Sequence, residues 1–436
     1  MTFLRSFRLG LLHAALTIPL VPISGVLNRV MIHELGIMAS LVALLIVLPH
    51  LLAPVQVVVG QFSDAYPLFG YRRTPYIALG MLLCIGGAVL TPQAALLMAA
   101  DFWLGLGFAV LVFLGWGLGF NLAVVSYLSL ASDLSTEQDR SQTIAIMWFM
   151  MITAVIATAI ITGRALDPYS PARLVQVFNS CGALALIIAT LALVGLEPRV
   201  ADSVAYAPRE ARVTPRQALA AIAANPHARV FFIYLMLMLS AILGQDVLLE
   251  PFGATAFEME VRQTTQLTAV WGGMTLIALL LYGLVLNRRM SKRSGAFLGG
   301  SLAALGLLTI AMSGMLSFEP LFVPGVALLG FGTGIATATN LALMLDMTTP
   351  EQVGLYIGAW GMADALARGL GNLLSGVLRD AVAALSGSST GGYVSVFLVE
   401  AILLGVALLL LRRIDVTAFR EQQTSLVQIV AVAGDA

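Results

Sequence analysis

Charged side chains inside long apolar stretches are the residues of this chain best suited to chemistry. Arg29 lies near the end of the first such stretch, and Asp246 and Glu250 lie one helical turn apart in the seventh. Asp364 and Arg368 have the same spacing in the eleventh. A charge near the centre of a bilayer costs about 2.5–3.5 kcal/mol even on a lenient scale. We therefore expect each charge to have a partner or to line a hydrated cavity.

The charges of the first and seventh stretches predict a contact between two halves of the chain. We predict that Arg29 pairs with Asp246, with Glu250 or with both, near the outer membrane surface. The neighbouring amides of Asn28 and Gln245 belong to the same set of polar contacts between the halves. In the alternative interpretation, each charge extends separately to the membrane surface.

The charged pair of the eleventh stretch also has two interpretations. Asp364 and Arg368 are spaced to neutralise each other on one face of a helix. Alternatively, they contact the polar group of a ligand or gate a cavity.

Motifs for common enzyme chemistry are missing from the sequence. It has no phosphate-binding glycine loop followed by Lys-Ser/Thr, no HExxH zinc motif and no paired cysteines. The paired aspartates of an enzyme that uses a prenyl diphosphate are missing as well. We predict that the chain is not an enzyme and holds no metal site of its own. Its charge pattern gives no indication of nucleic-acid binding.

The composition is that of a protein dissolved in lipid. Apolar residues make up 59% of the chain and charged residues 11%, with a mean hydropathy of +0.94. A soluble domain has roughly 45–50% apolar and about 25% charged residues. Because a helix needs about 20 apolar residues to cross a bilayer, we predict twelve transmembrane helices, over residues 9–31, 37–59, 75–97, 103–129, 143–163, 175–196, 229–251, 264–286, 295–315, 320–345, 352–378 and 391–412.

The basic residues predict the orientation of these helices. Seventeen Lys and Arg residues fall on the side of the two termini, and four fall on the opposite side, namely Arg164, Arg173, Arg262 and Arg379. Cytoplasmic loops carry the excess of basic residues. We therefore predict a multi-pass protein of a bacterial inner membrane, cytoplasmic or intracytoplasmic, with both termini in the cytoplasm.

The two halves of the chain repeat one pattern. Gly115-Trp-Gly-Leu-Gly119 in the fourth stretch corresponds to Gly330-Phe-Gly-Thr-Gly334 in the tenth, and a Glu-Gln pair and a Trp follow each. Parallel repeats of six helices indicate two bundles related by an axis along the membrane normal. We predict an all-α integral membrane protein with the major facilitator superfamily fold, divided into an N-terminal bundle (1–196), a cytoplasmic linker (197–228), a C-terminal bundle (229–412) and a tail (413–436).

The loop after the second stretch supports this fold. Gly60 and Asp64, followed by Gly70, Arg72 and Arg73, resemble the cytoplasmic loop signature of facilitator-superfamily transporters. The separation of Asp64 from Gly70 is two residues longer than in the usual pattern. The alternative, a basic cytoplasmic loop with a proline turn, explains the arginines but leaves the aspartate unexplained.

Four segments resemble a more specific family. They are LNRVMIHELG (27–36), GYRRTPY (70–76), AIMWFMM (145–151) and LGQDVLLEPF (243–252). These segments are similar to the PucC family, also called the bacteriochlorophyll delivery family, of phototrophic bacteria. The resemblance implies a factor that assembles light-harvesting complexes and delivers bacteriochlorophyll, a transient ligand, to antenna polypeptides. It also implies bacteriochlorophyll synthase and the membrane insertion machinery as neighbours in the lipid bilayer.

Two histidines become candidate pigment ligands under this resemblance. His13 and His50 lie in the cytoplasmic halves of the first and second stretches. A neutral imidazole can ligate the magnesium ion of a chlorin, although an intramembrane histidine is more often hydrogen-bonded to a neighbouring helix. A secondary transporter that moves a small solute by alternating access remains the alternative function, because a fold does not determine function.

Overall fold

The computed structural model describes residues 3–52, 66–135, 137–199, 226–346 and 353–414, and these residues are almost entirely helical. The first half contains six long helices. They are α1 (Phe3–Pro22), α2 (Ala39–Leu51), α3 (Thr74–Ala100), α4 (Phe102–Leu134), α5 (Glu137–Ala165) and α6 (Pro171–Leu193). Asp101 accepts a hydrogen bond from Leu104 N at the start of α4, and Ser170 accepts one from Arg173 N at the start of α6.

The second half repeats this order with one helix divided in two. It contains α7 (Pro226–Leu243), α8 (Leu249–Phe257), α9 (Val261–Leu284), α10 (Lys292–Met315), α11 (Phe322–Asp346), α12 (Val353–Ser386) and α13 (Ser389–Leu411). The helices α7 and α8 together form the seventh span. We call the end of the molecule where α1 begins and α13 ends the inner end, and the opposite end the outer end.

The membrane-spanning character of the helices is confirmed. Within the described residues, ten helical stretches are long and apolar enough to cross a bilayer. The helix α2 has 13 residues and ends at Leu51, and residues 53–59 of its predicted range lie outside the described residues. The helix α12 has 34 residues and corresponds to the eleventh predicted span. The protein is therefore a multi-pass membrane protein in contact with the lipid bilayer.

In each half, a glycine of the repeated segment lets two neighbouring helices of that half pack closely. A Cβ atom on Gly119 would lie 2.2 Å from the backbone nitrogen of Cys84, so α4 packs on the backbone of α3. In the second half, a Cβ atom on Gly332 would lie 2.3 Å from the backbone nitrogen of Ala303, so α11 packs on α10 in the same way. Close backbone approach of this kind supplies packing energy where no hydrophobic drive exists between helices.

The first and seventh spans are irregular in their outer parts. After α1, two π-helical turns follow at Ile23–Leu27 and Val30–Glu34. In the seventh span, a 3-10 turn at Gly244–Val247 separates α7 from α8. The prediction treated both spans as regular helices. Pro19 and Pro22 lie within α1, shortly before these π-helical turns, and each removes one backbone donor from the helix.

Two pairs of helices, α2 with α12 and α5 with α9, form much of the contact between the halves. Gly376 of α12 packs on the backbone of Ala39 in α2, and Gly163 of α5 packs on Thr265 of α9. Further from the outer end, Gly369 of α12 lies in van der Waals contact with Val47 of α2. The contacts between halves therefore extend from the outer end toward the middle of the bundle.

Candidate functional site

Asn28 links the irregular segments of the first and seventh spans. Its side-chain Nδ2 donates to the carbonyl oxygen of Val247 at 3.0 Å and approaches that of Asp246 at 3.4 Å. Both carbonyls lie at the end of the 3-10 turn, where the regular helical hydrogen bonds are interrupted. The structure thus brings Asn28 and the segment around Asp246 together across the halves, although the contact uses the backbone of the aspartate.

Arg29 is buried and also reaches the second half, but its partners differ from those predicted. Its Nη1 pairs with Glu34 Oε1 at 2.8 Å, and its Nη2 donates to the carbonyl oxygen of Met259 at 3.0 Å. The predicted ion pair with Asp246 or Glu250 is wrong. The π-helical turns rotate Arg29 toward the outer surface, where Glu34 on the same segment is nearer than either predicted carboxylate.

Glu250 lies in the contact between the halves, and none of the described cations forms an ion pair with it. Its side chain is 2% exposed, and its Oε1 accepts a hydrogen bond from Thr268 Oγ1 at 2.8 Å. A Cβ atom on Gly25 would lie 2.4 Å from this Oε1, so the backbone of the first span packs directly on the carboxyl group. The other oxygen, Oε2, is buried and has no hydrogen-bond partner among the described residues.

A charged triad occupies the middle of the bundle. Arg368 Nε contacts Asp364 Oδ2 at 3.1 Å, and Arg368 Nη1 lies 3.6 Å from Asp246 Oδ2. The intrahelical pair is therefore present, and Asp246 joins it from the seventh span. Gln245 does not cross the halves with its side chain, because its Nε2 donates to Ile242 O and to Asp246 Oδ1.

The triad borders accessible space inside the protein. The side chains of Asp246, Asp364 and Arg368 are 29%, 35% and 36% exposed. Asp246 lies at the break in the seventh span, and Asp364 and Arg368 lie well inside α12. His50 of α2, in the other half, lies near Arg368 and Asp364. The triad is thus flanked by α2 of the first half and by the seventh span of the second half.

Sequence reasoning did not include Glu400. This residue of α13 is 2% exposed, and its Oε1 accepts a hydrogen bond from Ser375 Oγ at 2.8 Å. A Cβ atom on Gly244 would lie 2.7 Å from the same oxygen, so the carboxyl group packs on the break in the seventh span. The sequence does contain a sign of this residue, because Glu400 is the one acidic residue in the apolar stretch 391–412.

Further contacts close the outer end. Asp380 at the outer part of α12 accepts from the backbone nitrogen of Ser40 at 2.7 Å and from that of Ala39 at 3.3 Å, which caps α2. Arg262 Nη1 pairs with Asp167 Oδ2 at 3.4 Å, which again joins the two halves. The carboxylate of Asp380 thus performs the capping function that no residue of α2 itself performs.

A polar cavity of about 540 Å³ lies beneath these outer contacts. It is lined by residues of both halves, including Arg29, Glu34, Tyr169 and Arg262. Burial raises the pKa of the Tyr169 hydroxyl; the carboxylate of Glu34 raises it further, and Arg29 lowers it. Among the described residues, no group of three or more His, Cys, Asp or Glu side chains is arranged to hold a metal ion.

His13 lies among aromatic rings rather than polar groups. Its ring centroid is 5.3 Å from that of Tyr127 and 5.8 Å from that of Trp148. Its Nδ1 atom is buried and has no hydrogen-bond partner among the described residues. The Trp148 side chain is 53% exposed, so an apolar surface continues outward from the histidine.

The inner loop holds its helices through a residue that the motif did not include. Arg73 Nε contacts Asp133 Oδ2 at 3.2 Å, at the end of α4. The carboxylate of Glu197 accepts from the backbone nitrogens of Arg72, Arg73 and Thr74, which caps α3. Gly70 has a φ of 77°, a left-handed conformation that favours glycine. Gly60 and Asp64 lie outside the described residues.

Sequence comparison identifies the family of the chain. A family model described as PUCC protein matches residues 26–419. The chain belongs to the PucC family. A protein named PucC from Rhodovulum sulfidophilum is 33% identical over 87% of this chain and 85% of its own length. A bacteriochlorophyll synthase 44.5 kDa chain from Rhodobacter capsulatus is 30% identical over 87% of this chain and 88% of its own length.

Comparison with solved structures confirms the major facilitator fold of this PucC-family chain. A bacterial homologue of the human lysosomal transporter Spinster, in an inward-facing and unoccupied conformation, aligns with a TM-score of 0.72 at 14% identity, over 96% of this chain and 98% of that one. The nucleoside transporter NupG aligns with a TM-score of 0.70 at 13% identity, over 96% of this chain and 99% of that one. These likenesses concern the fold alone.

Proposed function

We propose that this protein is a non-enzymatic assembly factor for photosynthetic light-harvesting complexes, which binds bacteriochlorophyll and delivers it to antenna polypeptides. The observation that carries the proposal is the match to the PucC family over nearly the whole chain. The proposal places the protein in a bacterial inner membrane with both termini in the cytoplasm. Its partners are antenna polypeptides, bacteriochlorophyll synthase and the membrane insertion machinery.

The synthase partner is supported by one relative in particular. The chain aligns with most of the bacteriochlorophyll synthase 44.5 kDa chain of Rhodobacter capsulatus. That protein's name connects a chain of this length and sequence with the enzyme that makes the pigment. Because catalytic motifs are missing here, we assign the present chain an accessory function beside such an enzyme.

His13 is the residue that we assign to the pigment. A ligand of the magnesium ion must have a free ring nitrogen, and no described residue hydrogen-bonds to the buried Nδ1 of His13. A chlorin also needs a broad apolar surface, which the exposed Trp148 beside it offers. The Nδ1 of His50 is likewise without a hydrogen-bond partner among the described residues, but His50 lies near the charged pair Arg368 and Asp364 and is less suitable for an apolar chlorin.

Purification from a phototrophic host tests the pigment directly. The absorption spectrum of the purified protein should contain bacteriochlorophyll bands, and His13→Ala should reduce them several-fold. His50→Ala is the matched control, since it removes a second intramembrane histidine and should leave the bands close to those of the natural chain. Pigment-free protein, together with normal antenna assembly in a deletion strain, would refute the proposed function.

A second function, transport of a small polar solute by alternating access, is favoured by the charged triad. Asp246, Asp364 and Arg368 border accessible space between two halves that are joined at the outer end. This is where a facilitator-type transporter binds its substrate. The same purification distinguishes the two functions, because a solute transporter should be free of pigment and its deletion should leave the antenna complexes intact.

A further inference from the structure

Glu250 is a buried carboxyl group in the contact between the halves that forms no ion pair with any described residue. Its carboxyl group receives one hydrogen bond, from Thr268, and its second oxygen has none among the described residues. No described Lys, Arg or His forms an ion pair with it. Burial of an ionised carboxylate without a partner is far more costly than burial of the neutral acid.

The charged groups around Glu250 do not neutralise it. Arg29 acts electrostatically on Glu250 from across the contact, but its guanidinium is held by Glu34 and by the carbonyl of Met259. Asp246 lies one turn earlier on the same span and is engaged by Arg368. The neighbouring elements thus offer a glycine backbone, a hydroxyl and an arginine that is already paired.

From this geometry we infer that Glu250 is a proton-binding site and that its proton is linked to closure of the outer contact between the halves. In the closed arrangement, the backbone at Gly25 covers the carboxyl group and excludes water from it. When the first and seventh spans separate, this cover is removed and the carboxyl group becomes hydrated. The hydrated group then ionises and releases its proton toward the outer side.

The sign of the linkage follows from these two states. The closed state binds the proton more tightly than the open state, so low pH favours closure and high pH favours opening. One proton changes the ratio of closed to open molecules by at most about tenfold for each pH unit. The inference does not depend on which cargo the protein carries.

Glu400 provides a matched control within the same chain. It resembles Glu250 in its burial, in the single hydroxyl hydrogen bond from Ser375 and in its packing on a glycine, Gly244. All of these contacts lie within the second half of the chain. Separation of the halves therefore leaves the surroundings of Glu400 unchanged, and its protonation should not respond to opening.

The distance between outer loops of the two halves tests the inference. Spin labels are attached at Ala100→Cys, at the outer end of α3, and at Glu319→Cys, in the outer loop before α11; both positions are exposed. Cys84 and Cys181 are replaced by alanine. The distance is measured by double electron–electron resonance on the full-length protein in lipid nanodiscs, at about pH 5 and at about pH 9. This interval covers most of the range of pKa values between ordinary and strongly buried carboxyl groups.

In the parent protein, the population with the longer distance should increase at least tenfold from the lower to the higher pH. Glu250→Gln, which keeps the shape of the side chain and cannot release a proton, should remain in the short-distance population at both values. Glu400→Gln should retain the response of the parent. The inference is overturned if the distance distribution of the parent protein does not change with pH. It is also overturned if Glu250→Gln keeps the pH response of the parent, or if Glu250→Gln and Glu400→Gln both lose that response.

Discussion

The carboxylate of Glu197 should contribute more to stability than its place in an inner loop suggests. It follows α6 and accepts hydrogen bonds from three backbone nitrogens at the start of α3, at 2.9 Å from Arg72, 2.9 Å from Arg73 and 2.7 Å from Thr74. A helix N-terminus favours a negative charge because its first N–H groups have no partner within the helix. Glu197→Gln removes the charge and turns an amide NH₂ toward these donors.

The expected loss follows from the number of hydrogen bonds. A hydrogen bond to a charged group contributes about 1.5–3 kcal/mol, and deletion of a helix cap costs about 0.5–2 kcal/mol. Since one glutamine oxygen still accepts, we expect a loss of about 2–4 kcal/mol for Glu197→Gln. At about 2–4 °C per kcal/mol for a domain of this size, the apparent melting temperature should fall by roughly 4–16 °C.

The assay uses a cysteine of the capped helix itself. Cys84 lies within α3 and is fully buried, so a thiol-reactive fluorophore labels it only as the packing around α3 is lost. The measurement is made in detergent after replacement of Cys181 by alanine. Asp101→Asn serves as the control, because Asp101 caps α4 through one exposed hydrogen bond, to Leu104 at 3.1 Å, and should cost less than about 1 kcal/mol. If the melting temperature of Glu197→Gln falls no further than that of Asp101→Asn, Glu197 does not stabilise the start of α3 in the way described.

Two further predictions concern interactions inside the membrane. Arg368→Met should lower the free energy of unfolding by about 1–3 kcal/mol because the carboxylates beside Arg368 lose their cation. The double variant Arg368→Asp with Asp246→Arg should have a higher melting temperature than either single variant. The hydroxyl of Tyr234 donates to Asn340 Oδ1 at 2.7 Å. Its removal in Tyr234→Phe leaves this buried acceptor unpaired and should lower the free energy of unfolding by about 1–3 kcal/mol. Tyr282→Phe should cost less than about 0.5 kcal/mol, since no described residue hydrogen-bonds to its hydroxyl; an equal loss in both tyrosine variants would contradict the assignment.

The overall architecture could be predicted because bilayer physics acts on each segment separately. A stretch of about 20 apolar residues must form a helix in lipid, whatever its neighbours are. The described helices therefore overlap all twelve predicted stretches, and α8 extends the seventh to Phe257. The repeated glycines of α4 and α11 were visible for a similar reason, since spacing along one helix already defines a face that permits close approach.

The partners of the buried charges could not be predicted in the same way. The sequence predicted Asp246 or Glu250 as the partner of Arg29, but Arg29 lies between two π-helical turns and contacts Glu34 and Met259. The cap on α2 comes from Asp380, which is about 340 residues away in the chain and invisible to any local pattern. At the inner end, Glu197 likewise caps α3, a helix that begins more than 120 residues earlier in the chain.

The sequence by itself determined that this chain crosses a membrane many times, that its halves repeat one design and that it resembles the PucC family. These properties depend on the transfer of apolar residues into lipid and on local spacing, and both are present in the order of the residues. Only the tertiary structure decided that Asp246 pairs with Arg368 and that Glu250 faces the backbone at Gly25. Those contacts depend on how irregular helices from two halves approach each other, a relation that no single segment contains.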